Sequence, residues 1–169
     1  MLRWAKTGDY DVLGRLMFDA IHATPSPYTP AQRRAWLSEA HAGSRWAARL
    51  AAQRVAVLDT GRPQGFATLR ADGYVDMIFL APQLRNQGHF RRLMTMLIED
   101  ARRQKMPELT THASLAAQGP FLSMGFEVIR HETVSRDGQS LSRAHMRKTL
   151  GPLPAALLPQ AEAQRPEHT

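Results

Sequence analysis

Residues 80–94, LAPQLRNQGHFRRLM, close an apolar run at Pro82, cross a polar loop with one glycine, and enter a helical pattern whose first turn carries Arg91 and Arg92. A strand, a glycine turn and an amphipathic helix therefore follow one another within fifteen residues. The charge is the unusual part. A helix N-terminus carries about half a positive charge and four unpaired N–H groups, so cations belong at its other end. The arrangement predicts a negatively charged group at this turn.

Periodicity organises the rest of the chain. Residues 9–23 place Val12, Leu13, Leu16, Met17, Ala20 and Ile21 at helical spacing. In Thr29-Pro30-Ala31-Gln32 a capping threonine, a proline at the first helical position and a glutamine three residues on start a second helix. Ser44 is the expected cap of a third, SRWAARLAA. From Arg54 the pattern becomes that of strands. RVAVL, QGFATLR and YVDMIFL are rich in β-branched and aromatic residues, and the turn sequences DTGRP and ADG split them into an antiparallel meander. A helix over residues 89–105, with Phe90, Leu93, Met94, Leu97 and Ala101 on one face, packs on that sheet. A strand over 109–112, a short helix over 118–124 and a hairpin of 126–135 with 141–148 across RDG complete a mixed α/β order.

With 169 residues and 43% apolar content, the chain suits one domain with a real core. The expected boundary lies at residue 150, because residues 151–169, GPLPAALLPQAEAQRPEHT, hold four prolines and little periodicity and read as a tail. That tail has one arginine and two glutamates, so the first 150 residues carry more than the whole basic surplus, +8 against +7 overall. Such a surplus suits nucleic acid, an anionic membrane or a phosphorylated small molecule. Nucleic acid is the poorest match, since the basic residues are scattered singly and no basic stripe with interleaved aromatics is present. The absence of cysteine excludes disulfides, thiolate metal sites and a cysteine nucleophile. His22, His41, His89, His131 and His145 show no ligand spacing, so no metal is expected. The N-terminus has no apolar signal region, and no run approaches the ~18–20 apolar residues of a membrane span. The expected location is the cytoplasm.

The order of elements, together with DMIFLAPQLRNQGHFRRLM and ASLAAQGPFLSMGF, resembles the GNAT superfamily of acetyl-CoA-dependent N-acetyltransferases over about residues 1–150. YTPAQRRAW, SMGFEVIR and LSRAHMRK further resemble a large bacterial subfamily of acetyltransferases. The resemblance implies a GNAT fold, a mixed and mostly antiparallel central sheet flanked by helices. The family signature, Arg or Gln, two residues, Gly, one residue, then Gly or Ala, reads here Arg85-Asn86-Gln87-Gly88-His89-Phe90. It implies that the pyrophosphate of acetyl-CoA or coenzyme A lies on backbone N–H groups at that turn, as a glycine loop at a helix start allows. Gly88 would let the backbone approach, and Arg85, Arg91 and Arg92 would supply charge at the edge.

For the chemistry, the resemblance implies that the strand over residues 74–80 splays from its neighbour and frees backbone groups near Phe79 and Leu80 for the pantetheine arm and the thioester. Acetyl transfer needs an unprotonated amine, donors for developing negative charge and a proton for the departing thiolate. Candidate bases are His112, at a strand end and titrating near neutrality, and Asp76, on the central strand. The family's usual acid is a tyrosine four residues before the glycine of Gly125-Phe126, and that position is Phe121, expected beside the cofactor sulfur. Two further departures are Ala116, where many relatives carry asparagine, and Phe90 at the last signature position. Tyr28 and Trp36 match the region that closes over acceptors.

The reading that follows is an N-acetyltransferase for the amine of a small molecule or amino acid, with protein lysine as a variant acceptor. A coenzyme A-binding sensor or degenerate family member is the alternative that Phe121 and Ala116 allow. The apolar stretch 153–158 could cover a neighbouring surface, so a homodimer is among the expected states.

Overall fold

The structure is a computed structural model that describes residues 1–152 and 155–157. The tail expected over 151–169, and with it the stretch 153–158, lies largely outside the described residues.

The chain runs β1 (Leu2–Trp4), α1 (Tyr10–His22), α2 (Pro30–Trp36), α3 (Gly43–Ala51), β2 (Arg54–Asp59), β3 (Pro63–Leu69), β4 (Tyr74–Leu80), α4 (His89–Arg103), β5 (Glu108–Ser114), α5 (Gln118–Ser123), β6 (Glu127–Arg136) and β7 (Gln139–Thr149). α2 starts as its sequence predicts. Thr29 accepts from the Gln32 N–H while the Gln32 side chain accepts from the Thr29 N–H, a closed capping box. Ser44 is not a cap. α3 begins at Gly43 with Ala42 as its N-cap, two residues before the expected position.

The seven strands form one sheet in the order β1-β2-β3-β4-β5-β7-β6, antiparallel except where β4 runs parallel to β5. The meander β2-β3-β4 follows from its turns, and the hairpin β6-β7 closes through Asp137 and Gly138, both at positive φ as a tight hairpin requires. Helices cover both faces of the sheet centre. Ala56 and Leu58 of β2 pack under Leu93, Met94 and Leu97 of α4, whereas Val55 and Val57 face Leu13, Leu16 and Leu50 of α1 and α3. This explains why RVAVL reads as an unbroken apolar run: a strand buried on both faces has no polar side.

The sheet is interrupted at one place that matters. β4 and β5 pair only at Tyr74 with Thr110 and Val75 with Thr111, while β4 continues along β3 to Leu80 and β5 continues along β7 to Ser114. The register of β4 against β3 slips at Asp76, where Val75 faces Leu69 and Met77 faces Thr68. An extra residue on one strand bends it and raises its twist. β4 turns away from β5 at that bulge, and a wedge opens between them.

Candidate functional site

Two cavities meet at the wedge. One, of about 470 Å³, lies over the start of α4 and is lined by Ile78, Leu80, Arg85, Asn86, Gly88, His89, Phe90, Arg91 and Ala116. The other, of about 320 Å³, lies under the β6-β7 hairpin and is lined by Arg49, Tyr74, Asp76, His112, Arg136 and Arg143. Tyr28, Trp36, Phe79 and Ser114 line both. Tyr28 and Trp36, noted in the sequence, thus stand at the junction, edge to face at 5.6 Å. The Tyr28 hydroxyl donates to the Ser142 carbonyl at 2.7 Å and accepts from the Leu115 N–H at 3.0 Å, tying β7 to the end of β5.

The turn before α4 has the predicted shape. Asn86 and Gly88 both have positive φ, 60° and 80°, and Gly88 is the N-cap of the helix. A Cβ built on Gly88 would meet nothing within 4 Å, so open space lies in front of that backbone. Its surroundings fit a phosphate group approaching the amides of the first turn. The charged and polar side chains are more occupied than their sequence suggests. Arg85 donates to the Ala20 carbonyl near the end of α1 at 2.6 Å, Arg91 reaches the Ser123 carbonyl at 3.2 Å, and Arg92 lies 3.3 Å from His89 Nδ1. Gln87 turns back to the Gln83 carbonyl and is not part of the lining. Arg85 and Arg91 remain at the lip of the cleft while bracing it.

At the wedge the backbone is open as expected, with one shift of residue. The Ala81 N–H donates to Gln64 on the β3 side. Strand alternation therefore turns the N–H and C=O of Ile78 and Leu80 to the edge that β5 has left. Phe79 contributes its ring, tilted against Trp36 at 6.2 Å, rather than its backbone.

Phe121 is a correction. Its ring is buried in the core, edge to face with Phe90 at 5.0 Å and with Phe126 at 4.9 Å, and is absent from the lining of either cavity. Phe90, on the apolar face of α4, draws α5 inward through this aromatic stack, and a phenyl ring has no polar tip to keep it at the surface.

His112 and Asp76 share the hairpin-side cavity but differ in what holds them. Asp76 receives two nitrogens of Arg49 at 3.0–3.1 Å and Gln53 Nε2 at 2.8 Å, so its carboxylate is already satisfied. His112 Nδ1 lies 2.7 Å from Tyr74 Oη, its Nε2 lies 3.3 Å from Glu132 Oε1, and its ring stacks on His145 at 4.7 Å. Burial first, and Arg143 second, hold His112 below the ordinary imidazole range, with Glu132 pulling the other way. Partial desolvation pushes the Glu132 carboxyl up, but hydrogen bonds from Arg143 at 2.7 Å and Arg130 at 3.3 Å leave it below the usual range. Burial, then Asp76, raises the Tyr74 phenol.

Tyr74, Glu132 and Arg143 were not singled out from the sequence. Alternation along the hairpin does put Glu132, Val134 and Arg136 on one face, and Leu141, Arg143 and His145 on the facing strand. What was missing was the pairing of β5 with β7, which sets His112 opposite His145.

A wedge between two parallel strands, leading from a glycine turn at a helix start to a pocket with a half-buried histidine, is the arrangement of an acyl-group transferase that binds a pantetheine cofactor. The chain belongs to the GNAT acetyltransferases: residues 24–150 match the acetyltransferase (GNAT) domain. It is similar to the uncharacterized N-acetyltransferase YafP of Escherichia coli (strain K12), at 30% identity across 86% of this chain and 93% of that protein. Among solved structures, a GCN5-related N-acetyltransferase from Rhodopseudomonas palustris has a TM-score of 0.81 at 29% identity, covering 89% of this chain and 95% of its own. The yncA protein of Salmonella typhimurium, solved with its cofactor acetyl-CoA, shares the fold with a TM-score of 0.63 at 20% identity, over 89% of this chain and 94% of its own. The expected mixed, mostly antiparallel sheet flanked by helices is thus the observed one, and acetyl-CoA is the acyl donor that this family uses. No helix among the described residues is long and apolar enough to cross a membrane.

Proposed function

We propose that this protein transfers an acetyl group from acetyl-CoA to the amine of a small molecule or amino acid, the α4-side cleft receiving coenzyme A and the hairpin-side cavity the amine. The observation that carries this reading is the wedge after Val75, which lies where the two cavities meet. Acetyl-CoA, when bound, supplies an acetyl group activated as a thioester.

The chain's own groups do the rest. The amides at the start of α4 hold phosphate, and the freed backbone of Ile78 and Leu80 aligns the pantetheine arm and offers an N–H to developing negative charge. Tyr74 and His112 remove the proton of the amine. With Nε2–H donated to the anionic Glu132, the Nδ1 lone pair is left to accept from the hydroxyl of Tyr74, a residue that lines the cavity with His112. The phenol then takes the proton of the attacking amine as it passes its own to His112. Asp76, saturated by Arg49 and Gln53, positions Arg49 and is not the base. α5 contains no tyrosine and its Phe121 is turned into the core, so this helix offers no acid to a departing thiolate, and the moderately acidic thiol of coenzyme A would not need one.

The same feature favours one second reading, a coenzyme A-binding sensor without efficient chemistry. Thiol release from acetyl-CoA in the presence of an amine panel separates the two: acceptor-dependent release supports the enzyme, and its absence with cofactor still bound supports the sensor. Both readings require the cofactor. Gly88→Val, which forces a side chain onto positive φ and into the open space, should abolish the rise in melting temperature that coenzyme A produces; a folded variant with an unchanged rise would remove the assignment of the cleft.

A further inference from the structure

The hairpin-side cavity is lined by three arginines, Arg49, Arg136 and Arg143, and one carboxylate, Asp76. Each of the first and last arginines has a carboxylate partner. Arg49 is held by Asp76, and Arg143 gives its Nε to Glu132, a carboxylate shared with Arg130 and His112. Arg136 is different: among the described residues its one polar contact is a long one, 3.5 Å, to the Trp36 carbonyl, and no carboxylate lies within ion-pairing distance. Glu132, Val134 and Arg136 succeed one another on one face of β6, opposite Arg143, Leu141 and Gln139 of β7. The cavity therefore runs from the Tyr74–His112 pair, past an apolar rung of Val134 and Leu141, to a guanidinium without a counter-ion. At ~3.3 Å per residue, Arg136 starts about 13 Å along the strand from Glu132.

We infer that the acceptor is an amine that also carries an anionic group, a carboxylate or its equivalent, separated from the amine by an apolar spacer and bound at its far end by Arg136. This rests on the acetyl-transfer reading for the site of the amine. The spacing follows from the rungs, since an arginine and a flexible acceptor can together span that distance only when a chain of several carbons lies over Val134 and Leu141. The sign follows from the charges. A second ammonium group, as in a diamine, would face an arginine with nothing to offset it, whereas a carboxylate gains a charge-assisted, fork-shaped contact. The field is felt at the histidines as well: after burial, the next influence on His112 is Arg143 and on His41 is Arg49, and both push the proton off.

The test uses the full chain with a series of straight-chain ω-amino acids, their neutral amides, and diamines of equal length. Thiol release from acetyl-CoA should give kcat/KM for the preferred ω-amino acid about ten- to a hundredfold above its amide, mostly through KM, with the diamine below both. Arg136→Gln, an exposed position, should bring the ratio of acid to amide close to one, and Arg136→Lys should keep part of it. Direct calorimetric titration of the same ligands into wild type and Arg136→Gln reads the subsite without turnover and should show the same loss of preference. Acetylation of acid and amide at equal efficiency leaves acetyl transfer standing and overturns the anionic subsite. A preference for short α-amino acids that Arg136→Gln does not change overturns it as well, and so does calorimetry that finds neither ligand bound or both bound equally. Absence of any acetylation, with the acid still preferred in calorimetry and the preference lost in Arg136→Gln, overturns the transferase reading and supports the subsite.

Discussion

Neutral His112 can accept a proton and its imidazolium cannot, so the groups around one ring set the pH at which the proposed chemistry fails. Burial and Arg143 keep the ring neutral below the ordinary value of about 6.5, and Glu132 opposes them. With an acceptor whose amine stays mostly protonated across the range, kcat/KM should fall on the acid side at a pH below 6.5. Glu132→Gln removes the influence that favours the imidazolium, so it should move this acid limb to lower pH; a limb that moves up, or stays, would separate His112 from the proton transfer. His112→Ala should lower kcat/KM by about 10²–10⁴-fold, with the largest loss below the pKa of the acceptor amine, whereas full activity at every pH would place the base elsewhere. His112 was visible in the sequence because an imidazole's ordinary range lies where the reaction needs it, although the strand expected to end there runs on to Ser114. Its partners were not, because a tyrosine 38 residues earlier and a glutamate 20 residues later meet it only through strand pairing. Phe121 shows the opposite case. Its alignment by motif predicted a place beside the cofactor sulfur, and an aromatic stack with Phe90 and Phe126 decided its direction instead.

Among the elements, α1 shows how closely the walls of the cavity are fitted. Gly14 lies in its middle, where alanine would gain about 1 kcal/mol of helix propensity. A Cβ there would overlap the backbone carbonyl of His41 and press on Trp46 Nε1, which donates to the Tyr10 carbonyl at 2.6 Å. Backbone cannot rotate out of the way, and overpacking typically costs about 1–3 kcal/mol. The overlap should win, and Gly14→Ala should lower the midpoint of thermal or urea unfolding. An unchanged or higher midpoint would mean that the loop at His41 yields freely. Elements of this kind were legible where one stretch contains its own signal: the capping box of α2, the apolar face of α4, the positive-φ pair that closes β6-β7. The splay between β4 and β5 was expected only from the family resemblance. Its local cause, an extra residue at Asp76, is a mismatch between two strands and leaves no mark on either one alone.

For the whole molecule, the relation between the two cavities matters more than either one. The order of elements and the position of the glycine turn were enough to place the sheet and the cleft over α4, while the cavity under the hairpin depends on the long-range pairing of β5, β6 and β7. The cavities touch along Tyr28, Trp36, Phe79 and Ser114, and each has a lining of its own beyond those four residues. Donor and acceptor can therefore reside in the protein together. The chain also has no cysteine on which an acetyl group could wait. Initial rates measured over a grid of both concentrations should then give double-reciprocal lines that intersect; parallel lines would require an acetylated protein between two half-reactions. The shared aromatic wall thus has a temporal meaning: the two substrates act within a single encounter, and a dead-end complex of coenzyme A with unreacted acceptor should form readily and slow the protein as product accumulates.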